Sequence, residues 1–361
     1  MGDGPILVFH VPAGGGHRAA ALAIEEAGRA RGVPIEVVDA LSLAPALFAR
    51  AYVGAHLFGS AETPTLYGTT FELSNHVDPV RDQFRKALDH AVGKGLVELV
   101  RAKRPRAIVC THFYPLVELG QLRKRGELDA PLLAVVTDYV THAVWCADGV
   151  DIVCTAPGRA AEDAARHGTH GARVVETGIP VREAFGRVAA YDPPRADAAL
   201  RVLVTSGGFG VGPVRAVLRS FRGVGDVELD VVCGNKPDLV RRAARLAARK
   251  GLDALVTGFA TDMPERMARA HVVVGKPGGL TMSECLAAGR PLVAVGTVPG
   301  QESANEDALV RWRAGMRARP SRVGARVMAA AGALASMAAA AKAHGVPDAA
   351  VRVLRAAGVD V

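Results

Sequence analysis

The sequence predicts an α/β protein of two successive parallel-sheet domains, and three observations carry that prediction. At 361 residues and 50% hydrophobic content, the chain exceeds the size at which one core stops growing. An apolar run near the amino terminus breaks into a glycine loop and then a helical stretch, and the same order recurs after Leu200. Between the two stands Asp192-Pro193-Pro194, the strongest turn signal in the middle of the chain. These place a first domain at 1–190 and a second at 191–325, with the helical stretch from about 325 to 361 free to pack back on the first.

Taken in order, residues 5–12 read as a strand, Ala13-Gly14-Gly15-Gly16 as a loop, and Arg18–Arg31 as a helix. Ile35–Val38, behind Gly32 and Pro34, completes a β-α-β unit, the building block of parallel sheets. Later strands are predicted at Ala107–Cys110, Leu132–Thr137, Ile152–Thr155 and Arg173–Glu176. Arg187–Leu200 has no periodicity. Beyond it the pattern restarts with a strand at Arg201–Thr205, a loop at Ser206-Gly207-Gly208 and a helix at Pro213–Arg222. Strands at Leu229–Cys233, Leu255–Thr257, Val272–Gly275 and Leu292–Val295 follow, with helices between them. Val323–Ala357 is alanine-dominated and helical, interrupted at Gly345 and Pro347.

A net charge of +8 favours anionic partners such as phosphate esters or acidic lipid headgroups, although a proteome-wide arginine bias produces the same number. Aromatics make up only 5% and none interleave with a basic stripe, which argues against nucleic acid as a partner. The five cysteines, Cys110, Cys146, Cys154, Cys233 and Cys285, are odd in number and widely spaced, with no metal-type pair, and fit a reducing cytoplasm. There is no signal-peptide pattern and no uninterrupted apolar stretch of about 18 residues, so any membrane contact is expected to be peripheral.

Gly14-Gly15-Gly16-His17 sits where a strand ends and a helix begins, the end of an open α/β sheet where ligands bind. It lacks the spacing of a dinucleotide fingerprint and the Lys-Ser/Thr ending of a P-loop. The helix dipole would keep His17 neutral and able to accept a proton, while a purely structural hydrogen bond is the plainer role. Asp138, in the loop after Leu132–Thr137, either orients His17, acts on an acceptor, or caps a helix. His142 and Trp145 fall within one turn of each other and can simply pack together. Gly275-Lys276-Pro277-Gly278-Gly279-Leu280-Thr281 ends a strand and opens a helix whose free amides suit a diphosphate. Glu284, inside that helix, would reach ribose hydroxyls or else form a capping box with Thr281. Gln301, Glu302 and Asn305 make a polar cluster suited to a polyhydroxylated sugar, or an ordinary solvated loop.

Together these residues resemble glycosyltransferase family 28, and within it the monogalactosyldiacylglycerol synthase and processive diacylglycerol glucosyltransferase branch. The second half carries VVVGKPGGLTMSECLAAGRPLVAV and PGQESANEDAL; the first carries PAGGGHRAAALAI, VVTDYVTHAVW and TGIPVREAF. The resemblance implies a GT-B fold, two Rossmann-like domains facing a central cleft, and an inverting, metal-free reaction with a UDP-hexose donor and UDP as product. No cofactor is expected. By position it makes His17 and Asp138 the catalytic pair, with Gly15 and Gly16 in the glycine loop. Ser206, Gly207, Gly208, Phe209, Gly278, Gly279, Leu280 and Thr281 match diphosphate contacts, Gly234, Asn235 and Phe259 line the nucleotide, and Glu284 matches the ribose-binding acid. Gln301, Glu302 and Asn305 match the donor-sugar cluster. The implied acceptor is a membrane lipid such as diacylglycerol, on an anionic membrane surface, with the protein peripheral on the cytoplasmic face of the cell membrane. Leu47–Leu73, with Phe48, Tyr52, Phe58, Tyr67 and Phe71, would embed in the bilayer interface or pack as a core helix. A soluble or polyprenyl-linked acceptor, sugar epimerisation, and a non-catalytic UDP-sugar-binding role stay open at this level.

Overall fold

The structure, a computed structural model, describes residues 4–12, 15–50, 52 and 93–361. Ala13, Gly14, Phe58, Tyr67 and Phe71 lie outside the described residues. The chain divides into two compact units. The first is Met1–Arg182, Val298–Gln301 and Asp348–Val361; the second is Glu183–Thr297 and Glu302–Pro347.

The first unit holds β1 (Gly4–His10), β2 (Ile35–Asp39), β3 (Pro105–Cys110), β4 (Leu132–Val135), β5 (Ile152–Thr155) and β6 (Arg173–Glu176). They form one parallel sheet in the order β2-β1-β3-β4-β5-β6. Both faces are covered, which is why β1 reads as an unbroken apolar run rather than an alternation. Leu7 and Phe9 enter one core, Ile6 and Val8 the other, and all four are fully buried. Ala21, Ala23 and Ala27 of the helix Gly15–Arg29 keep that helix close to the second of these cores. The helix Ala349–Ala356 packs beside it through Ala350, Val353 and Leu354.

The second unit repeats the plan with β7 (Leu200–Thr205), β8 (Val227–Val232), β9 (Ala254–Thr257), β10 (Val272–Gly275), β11 (Leu292–Ala294) and β12 (Gly315–Arg317), in the order β12-β11-β10-β7-β8-β9. The parallel α/β architecture predicted from the sequence is thus present twice. β12 was not anticipated. It is three residues, Gly-Met-Arg, too short to show a period, and its glycine is required because a Cβ at Gly315 would stand 2.1 Å from the Leu292 carbonyl. The carboxyl-terminal helices are Val323–Ala329, Leu334–His344 and Ala349–Ala356, so the stretch breaks before Leu334 as well as at the predicted Gly345 and Pro347.

The aperiodic stretch around Asp192 is bound to the second unit. Arg290, 1% exposed, spends its guanidinium on the carbonyls of Met267, Ala288, Ala268 and Ala189, and lies 5.4 Å from the centre of the Tyr191 ring. Tyr191 in turn donates its hydroxyl to the His271 carbonyl at 3.0 Å.

In each sheet the strand order reverses direction at one place, between β1 and β3 in the first and between β7 and β10 in the second. In open parallel sheets such a reversal, beyond the strand carboxyl ends, is where ligands bind.

Candidate functional site

In the first unit, His17 is the third residue of the helix that follows β1. Its Nδ1 lies 2.6 Å from the carbonyl of Thr111, which directly follows β3. A carbonyl can only accept, so Nδ1 carries the proton and the lone pair of the neutral ring resides on Nε2. Thr111 closes the arrangement from the other side, its hydroxyl donating to the His17 carbonyl at 2.9 Å. The Thr137 hydroxyl, at the exit of β4, reaches the same Nδ1 at 3.2 Å. Neighbouring His112 stands edge-on to His17 at 4.6 Å. Its own Nδ1 accepts from the Tyr114 amide at 3.0 Å and so caps the helix Phe113–Lys124.

Asp138 follows Thr137 directly and is half-buried. It caps no helix: the short 3-10 turn Ala143–Trp145 is capped by His142, whose Nδ1 accepts from the Val144 amide at 3.1 Å. Gly15 is exposed and Gly16 half-buried at the start of the His17 helix. Phe48 and Tyr52 pack on the first core, 5.8 and 5.9 Å from the Tyr114 ring, so for these two aromatics the core reading holds.

The second unit gathers four strand-exit loops. The loop after β7 places Gly207 at φ +71 and half-buried Phe209 beside it. Gly234, at φ +63 after β8, backs onto that loop so closely that a Cβ would stand 2.3 Å from the Gly207 carbonyl. Asn235 donates its amide to the Gly208 carbonyl at 2.9 Å. The Ser206 hydroxyl faces inward to the Val232 carbonyl at 3.2 Å. Phe259, after β9, is 57% exposed, a large apolar ring offered to solvent.

The loop after β10 opens the helix Gly279–Ala288, whose N-cap Gly278 makes no side-chain capping bond. Leu280 is buried and Thr281 half-buried on the first turn. Because the cap is Gly278, Thr281 lies inside the helix and the capping box considered for Glu284 does not form; Glu284 is half-buried one turn further on. The helix Gln301–Arg311 lies alongside this loop. Asn305, fully buried, donates Nδ2 to the Pro277 carbonyl at 3.0 Å, and Glu302 Oε1 lies 2.9 Å from Lys276 Nζ. The Oε1 of Gln301 is buried with no hydrogen-bond partner.

Four residues with a place in this geometry were given no individual role by the sequence reading: Thr111, His112, Thr137 and Lys276. Thr111-His112 ends an apolar strand just as Thr137-Asp138 does, but only the adjacency of β3 to β1 brings it to His17. Burial pushes the thiols of Cys146 and Cys233 up to about 11 and that of Cys154 up to about 12, which disfavours the thiolate that nucleophilic chemistry needs. Among the described residues no group of His, Cys, Asp and Glu is arranged to hold a metal ion.

Residues 17–181 match the family of monogalactosyldiacylglycerol (MGDG) synthase, and residues 212–316 match the glycosyltransferase family 28 C-terminal domain. The chain is 31% identical over 229 residues to a processive diacylglycerol beta-glucosyltransferase of Bacillus cereus (strain AH187), a match that covers 62% of this chain and 58% of the relative's own length. It is 26% identical over 326 residues to the protein of that name from Bacillus cereus (strain B4264), covering 86% of this chain and 80% of the relative. In fold it is similar to MurG of Acinetobacter baumannii (TM-score 0.62, 17% identity, 98% of this chain and 99% of that one). It is also similar to the glycosyltransferase SnogD from Streptomyces nogalater (TM-score 0.57, 15% identity, 99% of this chain and 100% of that one).

Proposed function

Because the two halves of the chain belong to the monogalactosyldiacylglycerol synthase and family 28 C-terminal domain families, we propose that it transfers a hexose from a UDP-sugar to a hydroxyl of diacylglycerol or a related membrane lipid, with inversion. The observation that carries this reading is the uncapped start of the helix Gly279–Ala288 at the switch point of the second sheet, with Glu284 one turn inside it. Amides there attract a diphosphate, and a carboxylate at that distance suits ribose hydroxyls.

In this mechanism the first unit supplies the base and the second holds the donor. The acceptor oxygen attacks the anomeric carbon as its proton passes to His17 Nε2. The bond from that carbon to the diphosphate oxygen breaks, and its electron pair leaves with UDP. The Thr111 carbonyl, by accepting a hydrogen bond from Nδ1–H, fixes the tautomer that places the ring's lone pair on Nε2. The amides at Gly279–Thr281 stabilise the charge that grows on the leaving diphosphate, so the reaction proceeds without a metal ion. Asp138 orients His17 or the acceptor. The protein acts from the cytoplasmic face of the membrane as a peripheral protein; among the described residues no single helix is long and apolar enough to cross a bilayer.

The test is a donor-by-acceptor product screen read by mass spectrometry. UDP-glucose, UDP-galactose and UDP-N-acetylglucosamine are each offered with detergent-dispersed diacylglycerol, a polyprenyl-linked sugar and a soluble alcohol, with and without EDTA. A hexosylated diacylglycerol, formed equally in EDTA, is the expected product. A product on the other acceptors alone would move the acceptor assignment. A rearranged donor formed with no acceptor, or no turnover at all, would overturn the transferase reading.

A further inference from the structure

We propose that Lys276 is the cation that grips the donor's diphosphate, and that Glu302 serves the site by holding Lys276 rather than by touching the sugar. The proposal deepens the preceding one and rests on its premise that the second unit binds a UDP-sugar.

Lys276 stands in the loop between β10 and the helix Gly279–Ala288, two residues before the uncapped N-cap, at the point where the strand order reverses. Its ammonium is 2.9 Å from Glu302 Oε1, and the two side chains are only 19% and 17% exposed. A pair this shielded differs from a surface ion pair, because bulk water screens it far less. Asn305, one helical turn beyond Glu302 and therefore on the same face, donates to the carbonyl of the next loop residue, Pro277, at 3.0 Å. One face of the helix Gln301–Arg311 thus braces consecutive residues of the diphosphate loop. The carboxylate and the amide expected to read the sugar are committed to that brace.

Charge points the same way. A helix start offers about half an elementary charge, whereas the departing nucleotide gains a full negative charge when the glycosidic bond breaks. Lysine is a compact charge on a flexible stem, able to turn from Glu302 toward a phosphate oxygen without moving the backbone. Among the described residues, nothing beyond its chain neighbours comes within 4 Å of where a Cβ on Gly278 would be. The bound diphosphate and Glu302 then share one ammonium, and the carboxylate keeps it aimed between turnovers.

The experiment measures the affinities of UDP, UDP-hexose and uridine by calorimetry for the wild type, Lys276→Met, Lys276→Arg, Glu302→Gln and the double variant Lys276→Met/Glu302→Gln. Lost charge-assisted hydrogen bonds predict UDP affinity about 10- to 100-fold weaker in Lys276→Met. The double variant should be equally weak, uridine affinity should not change, and Lys276→Arg should recover much of the loss. Glu302→Gln should change UDP and UDP-hexose affinity by the same factor. Recovery of UDP affinity in the double variant would make Lys276 a mere counter-ion of Glu302 and overturn the proposal. So would a Glu302→Gln loss confined to UDP-hexose, or wild-type UDP affinity in Lys276→Met. A wild-type protein that binds no UDP at all would sink the functional reading and this proposal with it.

Discussion

Replacing Gly278 with alanine separates a glycine kept for the fold from one kept for a ligand. Gly234 is of the first kind: its φ is +63 and a Cβ would collide with the Gly207 carbonyl. Gly278 has φ −66 and ψ 147, extended values open to any residue, and among the described residues nothing beyond its chain neighbours lies within 4 Å of its Cβ position. Two small effects oppose each other in Gly278→Ala. Restricting the unfolded chain stabilises by about 0.4–1 kcal/mol. Alanine is the poorer N-cap and costs about 0.5–1 kcal/mol. The net is within about 0.5 kcal/mol of zero, which for a domain of this size moves the melting temperature by no more than about 2 °C. A methyl group in front of the first amides of the helix would, however, push a phosphate oxygen out of hydrogen-bond reach. Each such charge-assisted bond is worth about 1.5–3 kcal/mol, so UDP affinity should fall by about tenfold or more. Thermal melting and UDP calorimetry on the same preparation read both quantities. An unchanged UDP affinity would refute the argument that this glycine clears space for a diphosphate, and a melting point lowered by many degrees would show that the backbone needed it after all.

Other outcomes follow from the same geometry. His17→Ala should lower turnover by about 100- to 10,000-fold, the range of a positioned general base, while UDP affinity stays at the wild-type value; unchanged turnover removes His17 as the base. His10 and His271 are held below the ordinary histidine range, in both cases chiefly by burial, with Arg18 and Arg201 adding to the effect and Asp39 and Asp192 opposing it. A depressed folded pKa means that the unfolded chain binds more protons. Their contribution to stability is therefore complete above about pH 6.5 and is lost as pH falls through the lower folded values. Denaturant titrations from neutral to mildly acidic pH should show that decline, and His271→Asn, whose amide oxygen can still accept from the Arg201 amide now bonded to Nδ1 at 2.9 Å, should soften it; stability that rises on acidification contradicts the sign. Arg290→Met should destabilise the second unit by on the order of 3–5 kcal/mol in chemical denaturation, because two buried and two part-buried carbonyls lose their donor together; a loss below about 1 kcal/mol would mean that they find other partners.

The local layer of this protein was open to reading one segment at a time. Strands such as Ile152–Thr155 and Val272–Gly275 announce themselves as short apolar runs because helices cover both faces of a parallel sheet. The glycine loops and His17 stand out because a strand-to-helix junction is where a ligand can approach backbone. Short or edge-bound features were not legible in this way. β12 carries too few residues for a pattern, and the strap through Ala189 and Tyr191 looks like a linker until Arg290 is seen to hold it.

The residues by themselves determined two doubly wound parallel units, the glycine-rich strand-exit loops of each, and the order of motifs along the chain, since periodicity and glycine placement are properties of neighbours in sequence. Tertiary structure decided which loops meet. His17 and Thr111 lie 94 residues apart and are joined only because β3 inserts beside β1. Glu302 and Asn305 turn to Lys276 and Pro277 rather than to open solvent only because the helix Gln301–Arg311 docks beside the exit of β10. Strand order and helix docking are set by how whole elements bury their apolar faces against one another, a choice that no local stretch of sequence makes alone.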